Sequence, residues 1–397
     1  MASLPAGCRK ASKALCLLLF YFFLGTVDWP SGRSGVGASP RPGEPRPQVG
    51  WFRVPNSKLR SRCPPFGQNY DFPERCQDVI RGWSGGIADT ARNRLIIWGG
   101  GHNGYPGNEV YAFEVSALKM QRLNEPSPIT PCKAATSDGK ANSRHTYGAL
   151  AYIAHADRMF VFGGAWACPE GNVANDTWTL DLATLRWTRM DPTKGSGPRP
   201  SMFGAVAAYD LHTRKVILHD RNALWSYDYE QNSYMLLNPD AVNTLHTNAV
   251  IDPKRRLFIT FGDGRVTAYD IAPGSRYKPR DWSAQVSGCT ALANSSSPGL
   301  AYDAAQDRIV GWPNFGDTVY IFNPDSKSCT ARTFAGGPPD SAHDSSRPSS
   351  NGTFGRFQYF PALKVFVVVN DWDIDAHTLR LEGPRTLRSR EAEGQAK

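Results

Sequence analysis

The sequence lacks the patterns that identify several classes of binding protein. It has no Cys-x-x-Cys pair, which argues against a structural zinc site. Its net charge of +9 is concentrated near the two ends, with no basic helical segment and no zinc-finger spacing, so we expect no nucleic-acid partner. Asp371, Asp373, Asp375 and the segment Gly262–Gly264 lack the rest of a calcium loop, and we interpret them as turns. We therefore expect neither a metal ion nor a cofactor.

What the sequence has in abundance is turn formers and aromatic side chains. It contains 37 glycines and 30 prolines in 397 residues, and Phe, Trp and Tyr make up 11% of the chain. This mixture favours strands and turns over helices. The hydrophobic content of 41% is enough for a full-sized core, so we expect a globular fold rather than a disordered chain.

The N-terminal residues have the features of an export signal. Arg9, Lys10 and Lys13 precede a short apolar run, Ala14–Val27, which is too short to span about 30 Å of hydrocarbon comfortably as a helix. A cleavable signal peptide is therefore favoured, and a short N-terminal anchor is the alternative. The predicted organisation is a signal or anchor over residues 1–27, a disordered tether over 28–48, a folded domain over 49–381 and a disordered charged tail over 382–397.

Cysteine usage supports export. Eight cysteines are present, and Cys8 and Cys16 fall in the signal segment. The others form an even set that we predict to be disulfide-bonded, with neighbours in sequence as the simplest pairing among fifteen alternatives. These are Cys63, Cys76, Cys132, Cys168, Cys289 and Cys329.

An internal repeat determines the predicted architecture. The strand Arg94–Gly100 is followed by Asn108–Phe113 and Leu118–Leu123, and the same order recurs from Arg158–Gly164 onward. Weaker copies begin at Lys215, Arg256, Arg308 and Lys364. Repeats of several tens of residues that read as short strands are typical of β-propellers, in which each repeat forms one four-stranded blade.

The repeat resembles the kelch repeat, the unit of kelch proteins and of the galactose-oxidase central domain. The resemblance rests on the double glycine Gly163–Gly164, the later aromatic Trp178 and the fourth-strand Trp187, and it covers roughly residues 81 to 381. It implies an all-β propeller of four-stranded antiparallel blades, six by our count, with seven as the alternative. Trp51–Pro55 resembles a fourth strand and is predicted to close the ring.

In such a propeller the loops after the second strands and the connections between blades share one face. We expect that face to bind a ligand through a polar set: His102, Tyr105, Arg144, His145, Tyr147, Arg199, His246 and Arg356. Arginine can pair with carboxylate or sulfate, and aromatic rings can stack on sugars, so an anionic glycan suits the set. The alternative is that the arginines brace neighbouring blades and the histidines cap inner strands.

The sequence leaves two functions open. The first is an exported monomer, secreted or of the periplasm or cell envelope, that binds a glycan or a protein ligand and touches a membrane only through an uncleaved N-terminus. The second is a polysaccharide lyase acting on uronic-acid polymers, with a histidine as base, Arg144 or Arg356 holding the carboxylate and Tyr105 or Tyr147 as acid. An oxidase is disfavoured, because we find neither a Tyr-His pair nor a free cysteine placed to crosslink a tyrosine.

Overall fold

The computed structural model of the chain describes residues 48–65, 76–102, 104–168, 172–192, 197–199, 204–241, 245–339 and 351–383. The predicted signal segment lies outside the described residues, as do nearly all of the tether and of the charged tail.

The described strands form six antiparallel blades, which confirms the predicted all-β propeller of six rather than seven blades. Blade 1 holds β2 (Gly85–Asp89), β3 (Arg94–Trp98), β4 (Tyr111–Glu114) and β5 (Lys119–Arg122). Blade 2 holds β6 (Arg144–His145), β7 (Leu150–Ile153), β8 (Arg158–Trp166), β9 (Val173–Asp181) and β10 (Trp187–Arg189). Blade 3 holds β11 (Val206–Asp210), β12 (Lys215–His219), β13 (Leu224–Asp228) and β14 (Ser233–Asn238).

The remaining blades follow the same order. Blade 4 holds β15 (Asn248–Asp252), β16 (Leu257–Gly262), β17 (Arg265–Asp270) and β18 (Pro279–Asp281). Blade 5 holds β19 (Gly299–Asp303), β20 (Arg308–Trp312), β21 (Thr318–Asn323) and β22 (Ser328–Thr333). Blade 6 holds β23 (Phe357–Phe360), β24 (Val365–Val368), β25 (His377–Arg380) and β1 (Gly50–Arg53). In the described connections lie two short α-helices, α1 (Asp78–Arg81) and α2 (Thr290–Asn294), and two 3-10 turns, Leu59–Arg62 and Phe354–Arg356.

The N-terminal strand closes the ring, as predicted. β1 pairs antiparallel with β25 in the register Gly50 to Arg380 and Arg53 to His377, so it supplies the fourth strand of the last blade. The segment after β1 is held by Asp375, whose carboxylate accepts a hydrogen bond from the Ser57 amide at 2.9 Å. Closure removes the exposed strand edge that an open sheet would present.

The hydrophobic core lies between adjacent blades. Trp98 of blade 1 contacts Trp187 of blade 2 with ring centroids 4.7 Å apart, and both belong to one buried cluster with Trp178. Phe261 of blade 4 and Phe322 of blade 5 make the equivalent contact at 5.0 Å. Because a strand buried on both faces can carry apolar residues at successive positions, β3 is fully buried along its length.

The propeller has two distinct faces. The loop face carries the second-to-third-strand loops and the connections between blades, and the turn face carries the tight turns between first and second strands. Ion pairs tie neighbouring blades together at the turn face: Arg92 pairs with Asp157 at 2.5 Å, and Arg256 pairs with Asp210 at 2.5 Å.

Three disulfides join the cysteines that are neighbours in sequence, which confirms the predicted pairing. They link Cys63 to Cys76, Cys132 to Cys168 and Cys289 to Cys329, with Cα atoms 6.0, 4.5 and 5.0 Å apart. Such bonds suggest an oxidising, extracellular environment. Within the described ranges we find no helix of the length and apolarity needed to cross a bilayer.

Candidate functional site

Five aromatic and imidazole side chains meet on the loop face near the axis. We call Trp83, His102, His145, Tyr147 and Phe354 the histidine cluster. The His145 ring lies 4.9 Å from Trp83, 5.2 Å from His102 and 6.1 Å from Tyr147, measured between centroids. Tyr147 in turn contacts Phe354 at 5.9 Å, so the cluster joins blades 1, 2 and 6.

The cluster depends on an unusual backbone conformation. Trp83, Tyr147 and Phe354 have φ near +49°, and each lies two or three positions before an inner strand. Ser297 and Gly204 occupy the equivalent place in blades 5 and 3 and also have positive φ. A left-handed residue is therefore a recurring feature of the start of an inner strand in this propeller. His102 has φ of 50° in a second-strand loop instead. A left-handed residue other than glycine costs about 1 kcal/mol or more, and such residues are often found at functional sites.

Backbone hydrogen bonds hold these strained residues in place. The Tyr147 amide donates to the Trp83 carbonyl at 2.7 Å, which links blades 1 and 2. The His102 amide donates to the carbonyl of Ala165, opposite His145 in the ladder of β6 and β8. These main-chain hydrogen bonds therefore help to set the relative positions of the two imidazoles.

The Cys132–Cys168 disulfide stabilises the loop that carries His102. The Cys168 amide donates to the His102 carbonyl at 2.9 Å, and the Cys132 amide donates to Ala167 at 3.0 Å. His102 Nδ1 lies 3.3 Å from the Cys168 carbonyl oxygen, a contact in which Nδ1 must carry the proton. That tautomer leaves the lone pair of the half-buried His102 on Nε2.

The cluster is electrically neutral at physiological pH on its buried side. Burial, followed by repulsion from a positive charge on His102, lowers the pKa of His145 to about 3. Burial also raises the pKa of Tyr147 well above its ordinary value of 10.0. His145 and Tyr147 thus contribute uncharged rings, while Trp83 and His102 are the half-buried members that a ligand can reach.

Arg144, predicted to bind ligand, is completely buried and braces blade 2. Its guanidinium group donates to both carboxylate oxygens of Asp176, at 2.8 and 3.2 Å, and to the backbone carbonyls of Asn142, Gly163 and Ala134. Its side chain is 0% exposed and that of Asp176 is 3% exposed. The structure thus gives Arg144 a structural role within blade 2 rather than between neighbouring blades, and leaves no donor of this residue facing solvent.

Arg356 is also buried, at the junction of blades 6 and 1. It donates to the carbonyls of Ser84, Gly352 and Val369 and to the side-chain oxygen of Asn370. Burial lowers its pKa to about 9, against the opposing attraction of Asp371, so it stays charged at neutral pH. Its contacts across the closing blade make it a brace as well.

Tyr105 lies behind the cluster rather than in it. It is fully buried, and its hydroxyl donates to Oε1 of the buried Glu109 at 2.6 Å, as does the hydroxyl of Tyr111. Burial raises the pKa of Glu109 above its usual value. The Tyr105 carbonyl accepts a hydrogen bond from Ser143, which in turn accepts one from Gly101, so Tyr105 supports the loop of His102.

Arg199 and His246 lie on the same face, outside the histidine cluster as the described residues show it. Arg199 is exposed, and its amide donates to Asp220 at 3.1 Å. His246 is half-buried, and its carbonyl accepts from the Ser297 amide at 2.7 Å. Of the predicted set, the structure therefore brings together His102, His145 and Tyr147.

Phe354 is a member of the cluster that the sequence did not single out. Its signal is a large aromatic residue followed by glycine at the entry to an inner strand, the pattern seen at Tyr147–Gly148. Among the residues that the structure describes, no group of three or more His, Cys, Asp and Glu side chains is arranged to hold a metal ion.

Comparisons with known proteins add little. The sequence matches no protein-family profile and no curated protein. One similar solved structure is a structural genomics protein of unknown function from Bacteroides thetaiotaomicron, with 12% sequence identity and a TM-score of 0.45. The match covers 74% of this chain and 68% of that one. The resemblance to kelch repeats thus stays a prediction.

Proposed function

We propose that this chain is an exported propeller that binds a glycan or protein ligand at the histidine cluster on its loop face. The observation that carries the proposal is the placement of two half-buried rings, Trp83 and His102, over the buried and neutral His145. An aromatic face beside hydrogen-bonding imidazoles is suited to stack on a sugar ring and to bond its hydroxyl groups. The three disulfides support export.

The buried arginines bear on the class of glycan. The lyase hypothesis assigns the carboxylate to Arg144 or Arg356, and the guanidinium groups of both donate their hydrogen bonds inside the protein. The histidine cluster itself contains no arginine or lysine. We therefore favour a ligand whose bound unit is uncharged over a uronic-acid polymer.

The proposal is tested by probing an immobilised glycan array of neutral and uronic-acid oligosaccharides with the purified protein, followed by titration of the strongest binder. We expect Trp83→Ala to weaken binding at least about 10-fold, the loss of about 1.4 kcal/mol that removal of a central aromatic contact causes. Trp372→Ala is the matched control, since Trp372 is a half-buried tryptophan on the same face that packs against Arg60 and Arg81 instead. Equal binding by the wild type and Trp83→Ala would refute the placement of the site.

A second candidate is the uronic-acid lyase, and one observation favours it: His102, His145 and Tyr147 are adjacent. The reaction would use the lone pair on His102 Nε2 to remove the proton beside the carboxylate. As the carbon–carbon double bond forms, the glycosidic C–O bond breaks, and the Tyr147 hydroxyl would give its proton to the leaving oxygen. It predicts growth of the ultraviolet absorbance of the unsaturated product from polyuronates, and loss of that signal in His102→Gln. No absorbance change with any polyuronate, together with measurable glycan binding, would retire this candidate.

A further inference from the structure

The centre of the propeller contains a cavity that the loop-face site does not use. The six inner strands β2, β7, β11, β15, β19 and β23 surround it, and its volume is about 310 Å³. Cavities that hold small molecules begin at about 300 Å³. The channel is thus large enough for a small ligand.

The channel is blocked toward the loop face and open toward the turn face. At the loop-face end, the Asn248 amide group donates to the carbonyls of Pro298 and Phe354, at 2.9 and 2.7 Å, and so ties blade 4 to the entries of blades 5 and 6. At the other end the lining consists of residues from the turns that follow the inner strands: Thr90, Ala154, Leu211, Pro253, Ala304 and Pro361. A ligand in the channel is therefore separated from the histidine cluster and enters from the opposite side.

Among the described residues that line the channel, none has a charged side chain. The carboxylates at the ends of the inner strands are buried and form ion pairs with arginines. Asp210 pairs with Arg256, and Asp303 pairs with Arg308. The hydroxyls of Tyr152 and Tyr302 donate hydrogen bonds to the carboxylates of Asp157 and Asp307, at 3.2 and 2.8 Å. These tyrosines therefore contribute aromatic surface to the channel, and a charged ligand would enter without a counter-charge.

Beside the side chains of Thr90, Asn248 and Gln358, the polar groups in the channel come from the main chain. Each of the six inner strands is the terminal strand of its blade, so one edge has no strand pairing within its own sheet. Small residues such as Ala208, Ala249 and Ala301 keep this edge accessible. Edge strands present peptide N–H and C=O groups, which bond neutral donors and acceptors.

We infer that the channel is a second binding site, which takes an uncharged small molecule with an aromatic or alicyclic body and a hydrogen-bonding group. The inference does not depend on the function proposed for the loop face. It rests on the blind end at Asn248, the aromatic and uncharged wall, and the main-chain edges. The exposed Leu211, 63% accessible at the turn-face mouth, extends the apolar surface to the entrance.

The test uses prodan, an uncharged aromatic ketone whose fluorescence shifts to the blue in apolar surroundings. We expect saturable binding at one site per chain. Ala208→Phe, which fills the channel, should weaken it at least about 10-fold, and Leu211→Arg should weaken it because it places a charge at the entrance. Leu236→Arg is the matched control, since Leu236 is an exposed leucine on the outer strand of the same blade.

The outcomes separate this site from the loop face. Binding that is lost in Ala208→Phe and Leu211→Arg but retained in Leu236→Arg and in Trp83→Ala supports the inference. Because Leu211 is solvent-exposed, Leu211→Arg should fold normally, and it tests the site even if Ala208→Phe disturbs folding. Absence of saturable binding to the folded wild type, or binding equal in Leu211→Arg and the wild type, overturns it.

Discussion

We expect Asp176→Asn to lower the free energy of unfolding by about 3–5 kcal/mol, because it leaves the buried Arg144 guanidinium without its counter-charge. The two side chains are almost completely excluded from solvent, and the carboxylate also accepts a hydrogen bond from Trp178 Nε1 at 2.5 Å. Arg144 holds down the pKa of Asp176 against the opposing effect of burial, so the pair is ionised at neutral pH. Denaturant unfolding of the disulfide-intact protein, followed by tryptophan fluorescence, measures the change.

The matched control is Asp191→Asn. Arg189 and Asp191 form an ion pair of similar length, 2.7 Å, but their side chains are 47% and 59% exposed. Exposed pairs contribute little, and we expect a change below about 0.5 kcal/mol. Similar effects of the two substitutions would show that Arg144 is not a buried brace, and the loop-face role first expected of it would regain support.

The architecture was predictable because each sequence repeat forms one blade. Apolar second strands such as Arg94–Trp98 and the small-residue inner strands recur in the same order, so the number of blades follows from counting them. The closing strand was predictable for the same reason: blade 6 runs out after β25, and Trp51–Phe52 supplies the missing strand. The disulfides join neighbours in sequence because Cys63 and Cys76 lie in one connection, and each of the other two pairs joins a blade to the connection that enters it.

The site was only partly predictable, since the sequence places a residue on a face but does not give its burial. Arg144 and His145 are adjacent in β6, yet one is paired internally with Asp176 and the other packs against Trp83. That difference depends on β9 and on the start of β2, which are distant in the sequence. The blind end of the central channel depends likewise on Asn248 reaching the carbonyls of two other blades.

Acid should destabilise the propeller through its buried neutral histidines, and His219 makes the clearest case. Its Nδ1 accepts the Arg221 amide hydrogen at 3.1 Å, so Nε2 carries the proton and donates to the Tyr269 hydroxyl at 2.9 Å. One ring nitrogen therefore donates and the other accepts, which only the neutral imidazole can do. Burial lowers the pKa of His219 from 6.5 to about 3. The unfolded chain therefore binds more protons than the folded one between these values, and stability falls as the pH falls through that window.

Between about pH 7 and about pH 5, we expect His219 to lower the free energy of unfolding by about 2 kcal/mol. This is the free energy needed to keep the imidazole neutral in the folded protein while it binds a proton in the unfolded chain. His219→Gln should reduce the acid sensitivity by that amount, measured as the difference between denaturation curves at the two pH values, even where the variant is less stable at neutral pH. His212→Gln is the control, since His212 is an exposed histidine of the same blade. The same acid sensitivity in His219→Gln and the wild type would contradict this assignment. The loss of stability in acid would then be assigned to His145 and His377, whose pKa values burial also lowers.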